Sequence, residues 1–69
     1  GITPLSYLQK LRIDEAKDLL KNSNLSTQEV ANQVGYFDVS HFNRLFKRLL
    51  TVGPKKYRDM VRAKLFKPQ

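Results

Sequence analysis

Ser40, Asn43, Arg44 and Lys47 recur at three- and four-residue spacing in the segment Asp38 to Leu50. Interleaved with them are Phe42, Leu45, Phe46, Leu49 and Leu50. Wound as an α-helix at about 100° per residue, the apolar set makes one face and Ser40, Asn43, Arg44 and Lys47 make the opposite one. The chemistry of that outward face is specific. An arginine can bond guanine O6 and N7 together, an asparagine can do the same with adenine N6 and N7, and a lysine neutralises a phosphate. Val39, at the tip of the helix, is placed as an exposed group that could touch a thymine methyl. His41 falls on the flank, with no nucleophile motif around it, and reads as a packing or capping residue rather than a general base.

The charge distribution points the same way. The chain has 69 residues and a net charge of +7. Gly1 to Gly35 carries four cations against four anions, while Tyr36 to Gln69 carries nine against two. A field concentrated in one half is suited to a polyanion, nucleic acid or an anionic membrane. There is no cysteine and a single histidine, so thiolate chemistry is excluded and a histidine-based zinc site lacks ligands. No catalytic constellation, metal site or cofactor motif is expected. Apolar runs never exceed two residues, so no membrane span is expected.

The elements needed to hold that helix are legible around it. Thr3-Pro4 reads as a cap and first helical residue. Leu5, Leu8, Leu11, Ala16 and Leu19 then trace an apolar stripe predicting a helix over 4–21, stopped by Asn22-Ser23-Asn24. Leu25 is expected to anchor the next turn. Ser26-Thr27-Gln28-Glu29 is a capping box opening a short helix with Val30, Ala31 and Val34 inward. Gly35 ends it in a left-handed turn, and Asp38 caps the helix that carries Asn43 and Arg44. Gly53-Pro54 starts a last helix over 54–66, with Tyr57, Met60, Val61 and Leu65 as its apolar side. Lys67-Pro68-Gln69 is expected to be a frayed tail. No period-two pattern occurs, so the fold class is all-α: four helices, with a helix-turn-helix pair over 26–50. A chain of this length is one domain at most, with a small core.

Two further patterns bear on organisation. Gly1 to Tyr7 resembles Thr51 to Tyr57, each a turn leading into a helix with tyrosine in its first turn. The second copy follows a basic helix, which predicts a matching helix upstream of the first. On the long first helix, Asp14, Glu15 and Asp18 are expected to pair with neighbouring lysines, and Arg12 to form an ion pair with Glu29, Glu15 or Asp38.

Gly35-Tyr36-Phe37-Asp38-Val39-Ser40-His41-Phe42-Asn43-Arg44-Leu45-Phe46-Lys47-Arg48 resembles the signature of AraC/XylS-type bacterial transcription regulators. So does its frame: Tyr7-Leu8, Arg12, Ala16 and Leu19-Leu20 before it, and Pro54, Tyr57 and Arg58 after it. The resemblance covers about Gly1 to Arg58. It implies a linker helix, the second of two helix-turn-helix units and a closing helix, the first unit lying upstream. It implies double-stranded DNA as partner, base contacts at Val39, Ser40, Asn43 and Arg44, and backbone contacts at Ser26, Thr27, Lys47, Arg48, Lys55 and Lys56. Contact with RNA polymerase, a homodimer through an exposed linker-helix face around Leu5, Tyr7 and Leu8, and a cytoplasmic, nucleoid-associated location follow as expectations. The sequence departs from the pattern in placing Thr51 where the family has glycine and Gly53 where it has serine or a similar cap. Phe37 stands where a polar residue is usual. The competing reading is a non-catalytic module whose last helix presents Lys55, Lys56, Arg58 and Arg62 outward to an acidic protein or an anionic membrane.

Overall fold

The computed structural model describes residues 4–66, with side chains described through residue 63. Its elements are α1 (Pro4–Asn22), α2 (Thr27–Gln33), α3 (Val39–Leu50) and α4 (Pro54–Phe66). Proline opens both long helices, where its missing N–H is not needed. The Thr3 cap and the tail from Lys67 lie outside the described residues.

Local hydrogen bonds account for the short elements. Ser26 Oγ accepts from the Glu29 amide at 3.1 Å, and Glu29 Oε1 accepts from the Ser26 amide at 2.9 Å. Both halves of the capping box are thus present. At the other end of α2, Tyr36 N–H donates to Ala31 O at 2.8 Å and Gly35 N–H to Asn32 O at 3.2 Å. This is the Schellman pattern, and it requires the left-handed φ of +103° that Gly35 adopts. Asp38 Oδ1 accepts from the Ser40 amide at 2.9 Å and caps α3.

The core is built from Ile13, Ala16 and Leu20 of α1, Val30, Ala31 and Val34 at α2, Tyr36 of the turn, and Phe42, Leu45 and Phe46 of α3. The ring of Phe42 meets those of Tyr36 and Phe46 at 5.8 and 5.7 Å, and Phe46 meets Tyr57 of α4 edge-on at 5.6 Å. Leu19, Leu25 and Leu50 close the margin.

On α1, Leu5, Tyr7 and Leu8 form the exposed face expected of them, Leu11 is exposed as well, and Ile13, Ala16 and Leu20 are the buried positions. The first turns of α1 border an open groove that Leu5 and Leu8 share with Tyr36, Phe37 and His41. Two apolar expectations, Leu49 and Met60, are corrected here. Leu49 is 47% exposed despite its inward helical angle. It stands on the last turn of α3, over an open groove shared with Ile13 and Lys17. Met60 is half exposed and lies beside Lys56 and Ala63 on the outer side of α4. Leu65 lies outside the described side chains.

Candidate nucleic-acid interface

With Phe42, Leu45 and Phe46 turned into the core, α3 presents Ser40, Asn43, Arg44 and Lys47 to solvent. Val39 departs from its expected place at an exposed tip. It is half-buried against the core, and its remaining surface lines a cleft. The same cleft is lined by Thr27 at the start of α2, Asn43 and Lys47 of α3, and Lys55 and Lys56 of α4. Residues from three elements, scattered over 30 positions of sequence, therefore converge on one side of α3. Ser26 sits at the cap above Thr27. Its oxygen is engaged by the Glu29 amide, which leaves its hydroxyl hydrogen free to donate.

Arg44 and Arg48 do not join that cleft. They line a second one on the other flank of α3, with Gln9 of α1, His41 and Leu45. His41 is exposed, and its ring stands edge-on to Tyr36 at 5.7 Å. This is the packing role expected of it. Phe37 is 92% exposed at the α2–α3 turn.

The structure reassigns three arginines. Arg12 makes no ion pair among the described residues. Its guanidinium lies 5.6 Å from the centroid of the Tyr36 ring, a cation–π arrangement. Two of its three expected partners are engaged elsewhere, Glu29 in the capping box and Asp38 at its cap. Arg58 and Arg62, expected on an outward basic face, turn inward. Arg58 donates through Nε to Leu20 O at 2.9 Å and through Nη2 to Ser23 O at 3.3 Å and to Leu25 O. Arg62 Nη2 donates to Ser23 O and to Asn24 Oδ1 at 3.2 Å. One carbonyl of the last turn of α1, Leu20 O, and two of the loop after it, Ser23 O and Leu25 O, are thereby satisfied. This inward turn weakens the reading of α4 as a basic docking helix, since half of its expected outward charge is committed to the protein's own backbone. Of the expected α1 pairs, Lys17 Nζ and Asp14 lie 3.8 Å apart. Among the described residues, no helix is long and apolar enough to cross a membrane.

Comparison with known proteins bears directly on this arrangement. A family described as a helix-turn-helix domain matches residues 1–60. The HTH-type transcriptional regulator AlkR of Acinetobacter baylyi is 48% identical over 57 residues, covering 83% of this chain and 19% of that protein. The HTH-type transcriptional activator RhaS of Escherichia coli is 38% identical over 59 residues, covering 86% of this chain and 21% of that protein. The chain thus spans about a fifth of the length of the curated relatives it matches. Among solved structures, the DNA-binding domain of AdpA, a global transcriptional factor in complex with a target DNA, superposes with a TM-score of 0.91 at 32% identity. That match covers 99% of this chain and 61% of the other. The C-terminal domain of the two-component response regulator yesN from Fusobacterium nucleatum gives a TM-score of 0.82 at 41% identity, over 84% of this chain and 56% of that one. The arrangement of α2 and α3, and the sequence they carry, place this chain in the AraC/XylS-type helix-turn-helix family.

Proposed function

We propose that this chain binds double-stranded DNA sequence-specifically as part of a bacterial transcription regulator, with α3 lying in the major groove. The observation that carries the reading is the two-sided character of α3. Its aromatic face is locked into the core, which fixes the direction in which Ser40, Asn43 and Arg44 point. Beside them Thr27, Lys47, Lys55 and Lys56 converge on one cleft. A helix about 10–12 Å across fits a groove about 12 Å wide.

In this reading Ser40, Asn43 and Arg44 contact base edges, and the outer surface of Val39 contacts a thymine methyl. Ser26, Thr27, Lys47, Arg48, Lys55 and Lys56 contact the backbone. The chain acts as a non-catalytic binding module that needs no cofactor or metal. The similarity to a domain solved on its target DNA supports the partner class.

The parts reaching beyond these residues belong to the same proposal. They are a first helix-turn-helix unit upstream, the 69 residues forming part of a larger DNA-binding region, and a nucleoid location. The exposed apolar side chains Leu5, Tyr7 and Leu8 on α1 support a packing surface there, for the upstream unit or for a second copy. Contact with RNA polymerase completes the regulatory reading.

A salt titration tests the core of it. About four to six phosphate contacts give a slope of log K against log salt of roughly −4 to −5. A slope near zero on duplex DNA, or equal affinity for anionic vesicles, rejects it.

A further inference from the structure

The five described arginines divide by what holds them. Arg12 lies over the Tyr36 ring, and Arg58 and Arg62 are bonded to backbone carbonyls. Arg44 and Arg48 have no hydrogen-bond, ion-pair or ring partner among the described residues. Both stand on α3, and both line the cleft that α3 forms with Gln9 of α1. No carboxylate lines that cleft, and Asp14 in the adjoining groove that Arg48 and Gln9 also border lies 3.8 Å from Lys17 Nζ. The opposite flank of α3 forms the separate cleft holding Lys47, Lys55 and Lys56. Unpartnered cations therefore stand on both sides of the helix.

We propose that the α1–α3 cleft is a second phosphate-binding row, in which Arg48, His41 and Gln9 hold the backbone of one DNA strand while Lys47, Lys55 and Lys56 hold the other. This rests on the reading that α3 enters the major groove. The walls of that groove are the phosphates of opposite strands. A helix filling it must meet one strand with each flank. The chemistry of the row suits a phosphate. Arg48 offers a planar fork able to bond two oxygens at once. Gln9 offers an amide NH₂, and His41 a ring N–H on an exposed imidazole that packs against Tyr36. α1 then belongs to the interface through Gln9, and is more than a spacer between units.

The test uses the 69-residue chain and a duplex selected from random sequence. Single phosphates on each strand are replaced in turn by neutral methylphosphonates. Binding is compared for the wild type, Arg48→Gln, Gln9→Ala and Lys55→Gln. One lost phosphate contact lowers the salt slope by about 0.9, a factor of about eight at 0.1 M salt. Arg48→Gln is expected to show that loss, Arg48→Lys to restore the slope, and Gln9→Ala to weaken binding at the same phosphates. The methylphosphonates that cease to matter in Arg48→Gln should lie on one strand, and those for Lys55→Gln on the other. Both sets on a single strand overturn the proposal. So does a wild-type interference pattern in Arg48→Gln and Gln9→Ala, including the case where an acidic peptide, and not DNA, occupies the cleft. In that event the loss in Lys55→Gln still upholds the groove reading. A wild-type chain that prefers no duplex over random DNA overturns both.

Discussion

Arg58 bonds Leu20 through its Nε and the leucine's carbonyl, at 2.9 Å and across 38 positions of sequence. That one bond ties the closing helix to the end of α1. The neighbouring bonds to Ser23 and Leu25 complete a guanidinium bound on two edges. Hydrogen bonds from a charged donor contribute about 1.5–3 kcal/mol, and the carbonyls released by truncation are partly buried. Arg58→Ala is therefore expected to lower stability by about 2–3 kcal/mol. For a domain of this size that is a fall of roughly 10–20 °C in Tm. Arg58→Lys should recover only part of it, because an ammonium cannot reach three carbonyls in the plane of a guanidinium. Thermal melts of the three proteins check this. An unchanged melt for Arg58→Ala would mean that the carbonyls are satisfied equally well by solvent.

The turn after α3 yields a second expectation. Thr51 takes the left-handed conformation, with φ of 67°, and its amide donates to Lys47 O at 2.7 Å. A β-branched residue there is strained by roughly 1–2 kcal/mol, of which glycine's extra backbone entropy returns about half. Thr51→Gly should stabilise the domain by about 0.5–1 kcal/mol. Gly53 has no positive φ, and an added Cβ would meet open space. Its carbonyl accepts from the Tyr57 amide at 2.9 Å at the start of α4, so Gly53→Ser should gain a few tenths of a kcal/mol as a cap. The two substitutions restore the family's usual residues at both positions. A fall in Tm for either would contradict the geometry.

The contrast between these features and the readily read ones is physical. Ser26 with Glu29, Gly35 and Asp38 were legible because each bond closes within a few residues, and only a few residue types can form it. The outward set Ser40, Asn43, Arg44 and Lys47 followed from angle alone. Leu49 shows the limit of that method: a helical wheel has no axial coordinate and does not register that the last turn of α3 overhangs its neighbours. Ile13 shows a second limit: it is buried although it stands in the gap of the α1 stripe between Leu11 and Ala16. Arg12, Arg58 and Arg62 found partners more than twenty residues away, and no local pattern encodes a stacked ring or a loop carbonyl at that distance. The division of α3's cations into two clefts also depends on which helix lies on each flank.

Gly35 combines two constraints. Its φ of +103° is one that side chains rarely adopt, and a Cβ placed there would lie 3.3 Å from Arg12 Cζ. Gly35→Ala is expected to cost about 1–3 kcal/mol through strain alone. It should also push the Arg12 guanidinium off the Tyr36 ring. Stability by chemical denaturation measures the first effect. The second predicts that Arg12→Ala costs less in the Gly35→Ala background than in the wild type, since neighbours that share a contact are non-additive. Additive costs would show that the two sites do not touch.

Arg44 separates base reading from backbone holding. It is exposed and has no partner among the described residues, so Arg44→Ala should leave the melting temperature unchanged. Any loss of binding then belongs to the interface. A bidentate contact with a guanine discriminates by about 1–3 kcal/mol. Arg44→Ala should therefore weaken the preferred duplex by that amount and flatten preference at one base pair. Its effect on random-sequence DNA should be much smaller. Lys55, in the opposite cleft beside Lys56, should behave differently. Lys55→Ala is expected to weaken every sequence alike and to lower the salt slope by about one. Competition assays with the preferred duplex and a random pool, repeated at two salt concentrations, distinguish the two. An equal loss on both DNAs for Arg44→Ala would make Arg44 a phosphate contact, and base reading would then fall to Asn43 and Ser40.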